Sequence, residues 1–472
     1  MESECSDMSF CRRHFPVLGG VFKWMVISAC IGILLIIVAS VALNIHGSVL
    51  LRRARERAER EGVPLTGQAY RGGRERLDER ENAALVYNAA FSLMRAVEPR
   101  EIYELMDEED WPVGIEDLPL AADIVERTRT LLRERELILE ILREGRRFKM
   151  ADYDIAFDDP ACRLHHLGPA RRCARLLSMA TLLAYHDGRA DEAIGYALDG
   201  LALARSFSRE PLLRSSDYER MIVSISLGWP LFAALGLPEV SEGKLAALQD
   251  ALLDYSRVLS LRGALEGDVV HINSFYEAVL RGDFERLEYW NGEDLFPVGR
   301  NRLSRWLAAG WLKSHQAYSI ERVLDGIHDL QLPVSQIQAS RKERTGFASW
   351  KGLWFLAMMI RQPGNQVVFH CEEVRVMMQS AALSAAAVRF YRAAGEWPDI
   401  LDDLVERYVE DVPGDPFTGE PLIYRVLDDG IIIYSVGGNF TDDGGRPRLV
   451  PTPERERRLY RDAGFRVVLG EK

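Results

Sequence analysis

Residues 24–43 read WMVISACIGILLIIVASVAL, twenty residues without a charged side chain. At 1.5 Å per residue, a helix of that length covers about 30 Å, the thickness of a bilayer's hydrocarbon core. Lipid offers the backbone no hydrogen-bond partners, so a lone spanning segment has to be a helix. The sequence therefore predicts a transmembrane helix over residues 24–45, after an N-terminal tail of residues 1–23. A buried core helix is the competing reading, but such helices rarely stay apolar on every side for so long. The run is longer than the apolar stretch of an ordinary signal peptide, and the helical pattern continues into LLRRARERAER. Ile27-Ser28-Ala29-Cys30 has the form of a lipoprotein box, yet most of the apolar run follows Cys30, where such a box would end it.

The flanking charges bear on orientation. Arg12, Arg13 and Lys23 precede the run; Arg52, Arg53, Arg55, Arg57 and Arg60 follow it. Taken literally, the positive-inside rule favours a cytoplasmic body, although a body this long can cross a membrane regardless of charge.

The chain has 472 residues, 47% hydrophobic and 28% charged, with a net charge of −12. That length supports two or three domains with their own cores. The acidic balance argues against nucleic acid as a partner, because nucleic-acid binders carry a basic stripe. None of the six cysteines (Cys5, Cys11, Cys30, Cys162, Cys173, Cys371) stands in a CxxC pair, so no zinc knuckle or thioredoxin-like motif is indicated. Cys162 and Cys173 read as ordinary buried thiols, with a disulfide as the alternative in an exported body.

After a juxtamembrane segment over residues 46–75, the pattern is that of a helical body over residues 76–370. ENAALVYNAAFSLMRAV places apolar residues at three- and four-residue intervals, and AADIVERTRTLLRERELILEILREGRRF reads as one long amphipathic helix. Residues 173–211 are sharper: a helix, the turn Asp187-Gly188-Arg189, then a second helix with small residues Ala180, Ala193 and Ala197 where the two would pack. This hairpin resembles one tetratricopeptide unit. No clear second copy stands at a 34-residue period, so a hairpin within a helical domain and a degenerate repeat array with a concave binding face are both open. WKGLWFLAMMI, residues 350–360, is too short to cross a bilayer and reads as core or a domain seam, with a membrane-surface contact as the alternative.

Residues 371–472 read as a small α+β module. A helix with apolar and small residues over 381–391 ends at Gly395, and a short helix is predicted over 400–408. Two β-rich runs, 422–426 and 431–436, flank Asp428-Asp429-Gly430, a hairpin signal, and a last strand is predicted over 465–469. The fold class is thus mainly α, with tetratricopeptide-like hairpins, one N-terminal transmembrane helix and a C-terminal α+β module with an antiparallel sheet.

FYRAAGEWPDILDDLV, DPFTGEPLIYR and GIIIYSVGGNFTDDGG together resemble the globular part of type II secretion major pseudopilins. The positions that carry the resemblance are Tyr391, Gly395, Trp397, Pro398, Asp415, Pro416, Phe417, Tyr424, Ser435 and Gly437. It covers roughly the last hundred residues. The whole chain also resembles uncharacterised membrane-anchored proteins of planctomycete-type bacteria, a resemblance that implies no reaction. The departures matter: Met25 stands where a pseudopilin has glutamate, and a long body separates the apolar helix from the head. Assembly into a fibre is therefore not expected. The resemblance implies a calcium-binding acidic loop, whose matching side chains here are Asn439, Asp442 and Asp443. Calcium favours six to eight hard oxygens, which a tight loop can supply; the same residues are equally ordinary turn formers.

No GxSxG, HExxH, GxxxxGK[ST] or GxGxxG motif is present, and no catalytic residue is assigned. His165-His166 has no further ligands at a known spacing and reads as structural or exposed. His370 and Cys371 are adjacent on a helix and point in different directions, against a catalytic dyad. Asp152, Asp154, Asp158 and Asp159 read as a solvated loop. Three functional readings follow. The first is a non-catalytic, single-pass protein of a bacterial inner membrane, with an extracytoplasmic body and head that bind another protein. The second is a cytoplasm-facing, membrane-tethered scaffold, and the third an enzyme of unknown class.

Overall fold

The computed structural model describes residues 7–106, 120–283, 301–334, 336–337, 365–445 and 462–469. The chain is mainly helical, with fourteen α-helices among the described residues and one small antiparallel sheet near the C-terminus. Residues 350–360 lie outside the described residues. The chain divides into two compact units. The first comprises Met1–Thr66, Asp159–Ala161 and His271–Glu321; the second comprises Gly67–Asp158, Cys162–Val270 and Arg322–Lys472.

In the first unit, α1 (Asp7–Arg60) is a single helix. Its described part from Phe22 contains a window of mean hydropathy 2.9 of which only 6% is buried, so this helix is long and apolar enough to cross a membrane. The helix does not stop where the apolar run stops. Its later turns bury Ser40, Gly47, Leu51, Ala54 and Ala58. That spacing draws one seam along the helix. The residues on it are mostly small, which lets another backbone come close. Against this part of α1 lie the C-terminal half of α12 (Arg262–Arg281) and most of α13 (Arg302–Asp329).

The second unit begins with α2 (Gly67–Gly72), α3 (Ala84–Ala96) and α4 (Pro99–Met106). The long helix expected next is two: α5 (Ala122–Glu134) and α6 (Glu136–Gly145). Arg135 interrupts it with φ −118° and ψ 19°. The buried Arg135 guanidinium donates to the Leu131 carbonyl at 3.0 Å and pairs with Glu101 and Glu134, fixing the break. The predicted hairpin is present as α7 (Leu167–His186) and α8 (Ala190–Arg205). Its turn needs Gly188, whose φ is +71°. Two more helices, α9 (Leu213–Ser226) and α10 (Trp229–Leu235), continue the array. A β-carbon on Gly200 of α8 would fall 2.2 Å from Ser226 Oγ of α9, so only glycine permits that approach.

Next come α11 (Glu242–Val258) and α14 (Asn365–Ala394), packed against one another. The middle of α14 is an alanine-rich core face in which Ala381, Ala382, Ala385, Ala386 and Ala387 are fully buried. Arginines close the edges of this pairing. Arg375 donates to the Leu259 carbonyl at 2.7 Å, Arg389 pairs with Glu242 at 2.6 Å and Arg392 donates to the Leu237 carbonyl at 2.8 Å. The sheet has the order β1 (Ile423–Leu427), β2 (Gly430–Ser435), β3 (Ala463–Val468). The hairpin sits where Asp428-Asp429-Gly430 signalled it, with Leu427 opposite Gly430. The central strand β2 is buried along its whole length, and β2 and β3 pack on α14. Phe465 of β3 meets Phe232 of α10 edge-on, with ring centroids 3.8 Å apart. The described residues beyond position 371 therefore belong to the same compact unit as α2 to α11, and position 371 falls inside α14. The short helix predicted over 400–408 is only a 3-10 turn, Leu401–Leu404. Glu406 takes φ +69° there, and its N–H donates to the Val409 carbonyl at 3.0 Å, which ends helical geometry.

Candidate functional site

The C-terminal head gathers most of the residues singled out in its sequence. Gly395 ends α14 with φ +84°, its N–H donating to the Tyr391 carbonyl at 2.8 Å. The chain then doubles back so that the Trp397 ring lies tilted against Tyr391, with centroids 4.5 Å apart. Tyr424 of β1 donates its hydroxyl to the Pro398 carbonyl at 2.9 Å. The buried Asp415 carboxylate accepts from the Phe417 N–H and from the Ser435 hydroxyl, both at 2.8 Å, while Ser435 Oγ accepts from the Gly437 N–H at 3.0 Å. Phe417 is buried beside Phe369 and Phe440. A loop-to-strand clamp of this kind places polar atoms in the core only because each has a partner.

The loop read as a calcium site follows directly. Asn439 Nδ2 donates to Asp443 Oδ2 at 2.8 Å, and Asn439 Oδ1 accepts from the Thr441 N–H at 3.0 Å. Asp442 is held on three sides: by the Gly444 N–H at 2.8 Å, the Tyr434 hydroxyl at 2.9 Å and the Arg425 guanidinium at 2.8 Å. The Gly444 N–H, then Tyr434 and Arg425, hold the Asp442 carboxyl below the usual range. Asp462, just ahead of β3, is buried and reaches under the loop to accept the N–H groups of Asp443 at 3.2 Å and Gly445 at 2.7 Å. Burial pushes its carboxyl up.

The three predicted side chains are thus neighbours, but they do not fit an open cation shell. Asn439 offers a donor toward Asp443, and Asp442 already faces a positive charge. No group of three or more His, Cys, Asp or Glu among the described residues is arranged to hold a metal. The loop's oxygens are satisfied by protein donors, the arrangement of a pinned turn. Asp462 escaped the sequence reading because its position under the loop depends on the pairing of β3, twenty residues from the turn.

The second organised region is the seam of the first unit. A β-carbon on Gly47 would lie 2.2 Å from the Gly310 carbonyl oxygen, and one on Gly310 would lie 2.3 Å from the Leu43 carbonyl carbon. Lys313 Nζ donates to Asn44 Oδ1 at 2.8 Å and Ser48 Oγ at 3.1 Å, and Arg57 pairs with Glu321. Residue numbers rise together on the two helices, so α1 and α13 run in the same direction. The buried Asn273 of α12 joins all three helices. Its Oδ1 accepts from Arg55 and from Gln316, each at 2.9 Å, and its Nδ2 donates to the Leu65 carbonyl at 3.2 Å. Arg55 also pairs with Glu277 at 3.0 Å. His315 accepts from the Tyr276 hydroxyl, and burial lowers the His315 pKa, in keeping with a neutral ring. The arginines after the apolar run are thus partly structural: Arg55 and Arg57 bind carboxylates of the same unit.

The remaining candidates are structural. His166 is buried, 2.5 Å from Glu210 and stacked on Tyr153 and Phe207. His370 is exposed and paired with Glu373, while its neighbour Cys371 is buried with its thiol pushed up to about 12. Cys162 and Cys173 are not joined in a disulfide; Cys173 is buried, as expected, and Cys162 is half-buried. Asp158 forms a two-point pair with Arg71, at 2.6 and 3.0 Å. Three acids besides Asp462 carry raised pKa values, the usual mark of a site. Glu219, which accepts from Tyr255 at 2.8 Å, and Asp268 are both raised to about 7 by burial, and Asp199, beside Arg146 at 3.0 Å, to about 6. The buried Cys371 thiol lies within electrostatic reach of Glu219, and burial pushes that thiol up to about 12.

No protein-family model, no curated protein and no solved structure matches the chain.

Proposed function

We propose that this is a non-catalytic, single-pass membrane-anchored protein of a bacterial envelope, whose helical body and pseudopilin-like head bind another protein. The observation that carries the reading is α1. Its apolar turns are almost wholly exposed, while its later turns enter a packed seam. Exposed apolar surface on this scale is stable only against lipid or protein. What supports an extracytoplasmic body is the resemblance of the head to pseudopilins, carried by positions such as Trp397, Asp415 and Ser435. On this reading the short N-terminal tail is cytoplasmic and the body lies outside.

Arg52 and Arg53, both exposed, keep the cytoplasm-facing scaffold as a second reading, because they supply the positive charge that the orientation rule counts. The raised pKa values of Glu219 and Asp268, with Cys371 near Glu219, speak for an enzyme; the burial of that thiol, pushed up to about 12, favours a structural role.

Fractionation tests the anchor. The full chain, expressed in a bacterial host, is expected to stay in the membrane pellet through alkaline carbonate and to leave it with detergent. A variant lacking residues 1–45 is expected in the supernatant. In-cell photo-crosslinking from exposed positions on the body, Leu85 and Leu137, tests binding. A discrete adduct with one other protein supports it; the absence of any adduct at both positions contradicts it.

A further inference from the structure

This inference rests on the transmembrane reading of α1. The seam fixes the register of α13 against that helix: Gly310 lies against Leu43 and Asn44, and Lys313 against Asn44 and Ser48. The Arg57–Glu321 pair shows the two helices still side by side about 15 Å further along, so they run close to parallel. Stepping back from Gly310 by four and seven residues moves about 6 and 10 Å toward the apolar run. Those steps reach Trp306 and Leu303. At that height α1 presents Val38 and Val41, both exposed and inside the charge-free stretch.

Trp306 is 39% exposed and Leu303 67% exposed. Two large apolar side chains thus stand open beside the end of the charge-free stretch of α1. Arg302, exposed, directly precedes Leu303. Tryptophan is enriched at the headgroup boundary, and arginine can bury its stem while its head reaches the phosphates. Positive charge there also favours anionic lipid.

We propose that the first two turns of α13 are seated in the membrane interface beside α1, so that the anchor is a spanning helix clamped to a second, interfacial one. The occupant of the Leu303–Trp306 face is an anionic lipid surface. The close Gly47–Gly310 crossing is what holds the second helix at that depth.

The test places a photo-reactive benzoylphenylalanine at position 303 or 306 of the full chain, reconstituted in phosphatidylcholine–phosphatidylglycerol vesicles. Leu34 of α1 is the spanning control and Leu137, exposed in the second unit, the aqueous one. Mass spectrometry reads covalent lipid adducts. The expected yields at 303 and 306 are within about threefold of that at 34, with none at 137, as for an interfacially buried helix. Lipid adducts at 34 but not at 303 or 306 would overturn this inference and leave the anchor standing. An adduct from 303 to a second copy of the chain would overturn it in favour of self-association. Absence of lipid adducts at 34 would remove the transmembrane reading and this inference with it.

Discussion

Gly47 of α1 and Gly310 of α13 meet so closely that neither position has room for a β-carbon. A β-carbon at Gly47 would press on the Gly310 carbonyl oxygen, which belongs to backbone and cannot rotate away. Replacing Gly47 or Gly310 with valine is therefore expected to lower stability by about 1–3 kcal/mol, the usual cost of overpacking. Gly243→Ala is the control, because a β-carbon there meets nothing within 4 Å. Thermal unfolding in detergent reads the difference. A neutral Gly47→Val would contradict the close crossing.

Glu219 gives a pH signature. Burial raises its pKa from 4.5 to about 7 in the folded chain. Between those values the folded state holds more protons than the unfolded state, so stability falls as pH rises from about 4.5 to 7 and flattens above. Each pKa unit corresponds to about 1.4 kcal/mol, so this group accounts for a loss of roughly 3 kcal/mol. Glu219→Gln keeps an acceptor for Tyr255 and removes the charge. Its melting temperature is expected to vary less over that window and to exceed that of the parent at pH 8. An unchanged slope would place the ionisation elsewhere.

Asp442 and Asp462 separate surface charge from buried acceptor. Asp442→Ala breaks an exposed pair with Arg425, worth about 0.2–1 kcal/mol, and removes the acceptor of the Gly444 N–H and the Tyr434 hydroxyl, about 0.5–1.5 kcal/mol each. Asp462→Ala leaves the Asp443 and Gly445 N–H groups without their acceptor and is expected to cost about 1–3 kcal/mol. Millimolar calcium is expected to leave the melting temperature of the parent unchanged. A calcium-dependent rise that Asp442→Ala/Asp443→Ala abolishes would establish a cation site in this loop.

Cys173 and Cys371 are buried, and burial pushes both thiols up to about 12. Neither forms thiolate at neutral pH, so both are expected to resist maleimide in the native protein and to react in denaturant. Intact-mass measurement reads the count. Fast native labelling of Cys371 would reopen the pairing with His370.

The sequence disclosed what local pattern controls. The apolar run, its continuation as helix and the Gly188 turn are one-dimensional signals, and so is the hairpin at Asp428-Asp429-Gly430. The structure carries all of them. The break at Arg135 was hidden because the amphipathic pattern runs straight through it, and only the contacts of the buried guanidinium explain it. The predicted helix over 400–408 shrank because Glu406 leaves helical geometry, which its residue type does not announce. Asp462 and Asn273 gained their roles from partners far away in sequence, so no spacing rule could have found them. The small residues Gly47, Ala54 and Ala58 were visible, but nothing local named Gly310 as the partner of Gly47.

Topology decides the central claim most directly. Alkaline phosphatase fused after Lys472 reports an extracytoplasmic C-terminus, and a fluorescent protein that matures only in the cytoplasm reports the opposite. An envelope protein with its body outside predicts active phosphatase and a dark fluorophore. Inactive phosphatase with a bright fluorophore would contradict that orientation, place the body in the cytoplasm and make the tethered scaffold the correct account.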